Sequence, residues 1–129
     1  MMDRIQPEED AAIRQVVILS RQPPPEGAAL AAIGPRQDIL KSLAHCNTSP
    51  ERRGADDVLF GPGIRIELTP GQDPVTQMLV TLSEDEIGWH VLQRFVTEFH
   101  WKLLDPRSGQ EWTQAALAQI IYTCRREEA

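Results

Sequence analysis

An α+β fold built on an antiparallel sheet is predicted by three observations. The segment Ile64–Leu68 alternates strictly, with Ile64, Ile66 and Leu68 on one face and Arg65 and Glu67 on the other, which is the period of a half-buried strand. Val75–Leu82 follows after Pro70-Gly71, a pair suited to the central positions of a type II turn, so the two runs read as an antiparallel hairpin. The period then changes to a helical one over Ser83–Phe99. At about 100° per residue, Ile87, Trp89, Val91, Leu92, Phe95, Val96 and Phe99 share one apolar side, while His90, Gln93, Arg94 and Thr97 fill the other.

Composition agrees with a folded chain. Its 129 residues are 41% hydrophobic and 25% charged, with a net charge of −6, and the length fits a single α+β domain over 1–129. Neither half of the chain is basic, which argues against a phosphate-tracking nucleic-acid binder. The opening Met1–Asp10 is polar and acidic and lacks the basic start and apolar stretch of a signal peptide. The longest early apolar run, Val16–Leu19, falls far short of the roughly 18 residues a membrane helix needs. The expectation is a cytoplasmic chain with no membrane partner. Cys46 and Cys124 are too few for a disulfide framework or a four-thiolate zinc site.

The elements can be justified in chain order. Val16–Leu19 fits a short buried strand or the end of a helix begun at Pro7; its β-branched residues favour a helical turn over Pro7–Arg14 followed by a strand. Ala28–Ile33 reads as a helical turn or two, broken by Gly34-Pro35. Pro35–Cys46 is a helix with proline in its first turn and with Ile39, Leu40, Leu43 and Cys46 on its apolar side. The stretch Asn47–Asp57 reads as a loop, and Gly61-Pro62-Gly63 as a turn into the hairpin. Ser83 with Glu86 three residues on has the signature of a capping box at the start of the second helix. Gly88 sits within the apolar arc, so the helix backbone is expected to pack closely on the sheet.

After that helix, His100 opens a strand that runs through Trp101–Leu104. Asp105–Gly109 turns the chain, and Gln110–Trp112 is placed as a short returning strand. Thr113 is an N-cap for a last helix with Leu117, Ile120, Ile121 and Cys124 at helical spacing, although Ile120–Cys124 would also suit a strand. Strand, helix, hairpin, helix, strand gives βαββαβ, the ferredoxin-like arrangement in which an antiparallel sheet carries its helices on one face. The C-terminal helix is an addition to it.

No catalytic motif is present. Gly61-Pro62-Gly63 leads into a strand rather than a helix, so it cannot present a phosphate to a helix N-terminus. Ser108 lacks the upstream glycine of a nucleophile elbow. His45, His90 and His100 do not combine with the cysteines at ligand spacing, so neither a metal nor another cofactor is expected. Cys46 lies at a helix C-terminus, where the dipole opposes thiolate formation.

One constellation remains: the strand face turned away from the helices, with Arg65, Glu67, Gln77, Leu79, Thr81, Lys102 and Leu104. It lacks the stacking aromatics of an RNA-binding sheet. Together with Trp112 and the last helix, Leu79 and Leu104 offer more apolar surface than two helices consume. The expected role is therefore a non-catalytic interaction or regulatory module whose partner is a protein, a second copy of the chain included. If the last helix folded over the sheet, that surplus would vanish. The alternative is a small-ligand domain with Arg65 as the anion partner. An enzyme is the least favoured reading.

Overall fold

The computed structural model of the chain describes residues 15–128, with side chains to Arg125. The turn expected over Pro7–Arg14 lies outside the described residues. The elements run β1 (Gln15–Leu19), α1 (Arg36–His45), β2 (Ser49–Pro50), β3 (Val58–Gly61), β4 (Ile64–Leu68), β5 (Gln77–Leu82), α2 (Asp85–Phe99), β6 (Lys102–Leu104) and α3 (Gln114–Glu128). The six strands form one open antiparallel sheet in the order β2-β3-β4-β5-β1-β6. Four of them are the strands read from the sequence. β2 and β3 are additions, hidden because two residues of β2 and the short apolar run Val58–Phe60 are too brief to show a period.

Alternation divides the sheet cleanly. Val16, Ile18, Ile64, Ile66, Leu68, Met78, Val80, Leu82 and Leu103 are buried in one cluster with Ile39 and Leu43 of α1, Leu92 and Phe95 of α2, and Leu117 of α3. The helices therefore cover one side, and the alternate residues of the strands look the other way. α2 comes closest through Gly88. A Cβ there would lie 2.7 Å from the Gly63 carbonyl oxygen and would collide with Leu82, so the close approach expected from the sequence is real. Residues Thr69 and Gln72 close the Pro70-Gly71 turn with a 3.1 Å backbone hydrogen bond, and Gly71 has a positive φ of 70°.

Several local expectations need correction. Ala28–Ile33 is not helical. It is too short, between Gly27 and Gly34, to meet the cost of helix nucleation, and Ile33 and Gly34 instead exchange backbone hydrogen bonds with Val75 at 2.7 and 2.9 Å. The capping box at Ser83 does not form: α2 starts after Glu84, with no side-chain cap. The amides of Ser83 and Glu84 are already satisfied by the Gly63 carbonyl, at 2.8 and 3.2 Å. Glu86 is drawn instead toward Arg125 of α3, 3.6 Å away. Ile87, at the margin of the apolar arc, is 47% exposed. His100 does not open a strand; it ends α2 in the left-handed conformation, φ 60°, and its amide donates to Val96 O. Gln110–Trp112 contributes a single bridge, Leu104 to Glu111, rather than a strand.

The last helix is capped as expected, with the Ala116 amide donating to Thr113 Oγ1 at 3.2 Å. It packs on α2. The Trp112 ring leans on Trp89 with centroids 4.8 Å apart, and Leu117 and Ile121 are buried. Trp112 and the α3 stripe are thus consumed within the helical layer. Leu79 and Leu104 remain on the other side of the sheet.

Candidate functional site

The strand register places in rows the residues of the face that no described helix covers, the bare face. One row runs Leu104, Val17, Leu79, Glu67, Val58 across β6, β1, β5, β4 and β3. A second runs Lys102, Leu19, Gln77, and a third Gln15, Thr81, Arg65, Phe60. All six site residues read from the sequence, Arg65, Glu67, Gln77, Leu79, Lys102 and Leu104, therefore share one surface. Val17, Leu19, Leu79 and Leu104 are half-buried by their neighbours, and Phe60 is 46% exposed at the margin.

Sequence reasoning missed Val17, Leu19 and Phe60. The signal for the first two lay in the unbroken apolar run Val16–Leu19. A strand with one solvated face alternates, whereas a strand covered on both faces is apolar throughout. β1 is an interior strand, paired on both flanks by β5 and β6, and its run Val16–Leu19 is apolar on both sides.

The charges are unevenly engaged. Arg65 Nη2 donates to Glu67 Oε2 at 2.9 Å, so the guanidinium offered as an anion partner is occupied within its own strand. Lys102 is half-buried, and among the described residues it has no ion-pair partner. Beside Glu67 lies an open depression of about 340 Å³ lined by Val17, Glu67, Leu68, Thr69, Gln77, Met78 and Leu79. Its polar rim is a carboxylate, a hydroxyl and an amide. Arg65 does not line it.

Both lateral edges of the sheet are blunted. At one side the edge strand β2 is two residues long and contains Pro50. At the other, the segment after β6 crosses back: Leu104 bridges Glu111, and the Trp112 amide donates to Leu103 O at 2.8 Å. Short, proline-bearing or covered edges discourage strand addition, so the broad surface rather than an edge is what the sheet presents.

Elsewhere several titratable groups have structural partners. Cys46 is a buried free thiol whose pKa is pushed up by burial, against the pull of Arg94 and with the push of Glu98. Arg94 holds Glu98 in a two-point bond at 2.8 and 3.3 Å, which lowers the Glu98 pKa. His45 lies 3.8 Å from the same carboxylate and is largely exposed. A smaller cleft of about 240 Å³ near Arg21, His100, Glu111 and Thr113 is spanned by the Arg21–Glu111 ion pair at 2.9 Å. A densely bonded residue, Arg36, was not singled out from the sequence. Its guanidinium donates to the backbone oxygens of Thr69, Gln72 and Asp56 and to the carboxylates of Asp56 and Asp57, and its amide donates to Asp73 Oδ1 at 3.0 Å. Donation from both terminal nitrogens of the guanidinium pins two loops to the start of α1.

Among the described residues no three His, Cys, Asp or Glu side chains converge as a metal site, and no helix is long and apolar enough to cross a membrane. Comparison of the chain with protein-family models, curated proteins and solved structures finds no match.

Proposed function

We propose that this protein is a non-catalytic interaction module that binds a protein partner through the bare face of its sheet. The observation that carries the reading is the two-sided apolar character of β1, an interior strand whose Val17 and Leu19 are turned away from the helices. The finer fold reading belongs with it: β4, β5, β1 and β6, with α1 and α2, are read as a ferredoxin-like split βαβ, to which β2 and β3 add at one side and α3 on the helical layer. A cytoplasmic setting is part of the same proposal and rests on the buried free thiol of Cys46.

The test is capture from cell extract with three forms of the protein: the natural chain, Leu79→Arg on the bare face, and Ile87→Arg on the exposed rim of α2. The expected outcome is a protein retained by the natural chain and by Ile87→Arg but lost by Leu79→Arg, with unchanged circular dichroism and melting. A set of bound proteins indifferent to Leu79→Arg overturns the reading.

A further inference from the structure

Resting on that reading of the bare face, we infer that its partner is a second copy of this chain, docked face to face so that Lys102 of each copy enters the depression beside Glu67 of the other. The face carries both members of an ion pair across a two-fold axis, Lys102 and a Glu67 carboxylate that Arg65 of its own strand already engages through one oxygen at 2.9 Å. Lys102 stands at the β6 side with no ion-pair partner among the described residues, while Glu67 stands at the β4 side at the rim of the depression. Between them lie β1 and β5, whose Val17 and Leu79 sit directly opposite each other.

A two-fold axis parallel to the strands and midway between β1 and β5 brings Val17 of one copy over Leu79 of the other and exchanges the positions of β6 and β4. Height along the strands is kept by that rotation. Lys102 shares a row with Leu19 and Gln77, so it falls over the Thr69 end of the other β4, where Glu67, Thr69 and Gln77 supply oxygen acceptors. Stacked sheets lie about 10 Å apart, a gap that a lysine and a glutamate reaching toward each other can span. Such an interface is isologous, so one pair of residues generates two identical ion pairs.

The footprint is modest. Four strand spacings and five-residue strands give roughly 19 by 17 Å, about 650 Å² over the two copies, which is below a standard specific interface and in the range of weak, transient contacts. The dimer is therefore expected to dissociate on dilution.

Sedimentation equilibrium of the full chain over a concentration series tests the arrangement. The natural chain is expected to associate to a dimer. Lys102→Glu and Glu67→Lys each place like charges together twice per dimer and are expected to raise Kd at least about tenfold. The double exchange restores opposite charges and is expected to recover most of the affinity. All three variants alter groups that are half-exposed, and melting curves establish that each is folded. A natural chain that stays monomeric overturns the inference, as does a dimer that ignores both single changes. A monomer that still captures a different protein through Leu79 overturns the self-association while leaving the proposed function standing; loss of every Leu79-dependent contact overturns both.

Discussion

At Gly88, two effects of a single methyl group oppose each other. Alanine is the better helix former by about 1 kcal/mol, but its Cβ would press on the Gly63 carbonyl and on Leu82. The backbone of Gly63 is fixed by the two amides it receives from Ser83 and Glu84, so it cannot move aside cheaply. Overpacking of this kind costs about 1–3 kcal/mol. Gly88→Ala is accordingly expected to lower stability in urea unfolding, against its propensity. His100 presents the reverse case. A side chain in the left-handed region is disfavoured by roughly 1–2 kcal/mol, and glycine removes that cost while adding freedom to the unfolded chain, so His100→Gly should raise stability by up to about 1 kcal/mol. Cys46 has a folded pKa above its ordinary value because burial disfavours the thiolate. The sign follows: the unfolded chain gives up the proton first, so the native state loses ground as pH climbs into the thiol range. Native protein should resist alkylation near neutral pH and react readily once unfolded; fast modification of the native thiol would contradict the burial.

Among the elements, α2 best shows what periodicity can and cannot predict. Phe95 is fully buried, stacked near Phe99 and tilted against Trp101 at 5.4 Å. Its truncation to alanine is expected to cost about 3–5 kcal/mol. His90, exposed on the opposite side, should cost under about 0.5 kcal/mol. Equal losses would mean that the helix is rotated from the orientation described. The side that α2 buries was legible because seven apolar residues recur at helical spacing. Its first turn was not, because the group that satisfies the amides at its start, the Gly63 carbonyl, arrives from twenty residues upstream. The same limit hid Arg36. Nothing local marks an arginine at the start of α1 as the tie between the loops at 56–57 and 69–73, since its acceptors are mostly backbone oxygens. Replacing Arg36 with methionine should cost about 2–3 kcal/mol, consistent with the loss of charge-assisted bonds at a side chain only 12% exposed, with the amides near Asp56 exchanging faster.

At the scale of the molecule, the α+β class and four of the strands were legible because the hairpin and α2 each carry a clean period. The six residues Arg65, Glu67, Gln77, Leu79, Lys102 and Leu104 were correctly gathered on one side because alternation alone fixes which way a strand residue points. The occupancy of that side was not legible. Whether α3 covers the sheet or the helices depends on packing between Trp112 and Trp89, a contact with no local trace. The sheet order was equally out of reach, since β2 and β3 are defined by their pairing with β4 rather than by their own residues.

That order has a consequence for synthesis. Both neighbours of β1 come late: Leu19 pairs with Gln77, and Val17 with Leu104. While the chain is emerging from the ribosome, the run Val16–Leu19 has no strand beside it until β5 appears, and its second flank stays open until β6 follows. An unpaired apolar strand is a hazard for aggregation during that wait. Nascent chains arrested before β5 is exposed should be digested by protease throughout, and protection of β1 should arise in two stages, as β5 and then β6 clear the exit.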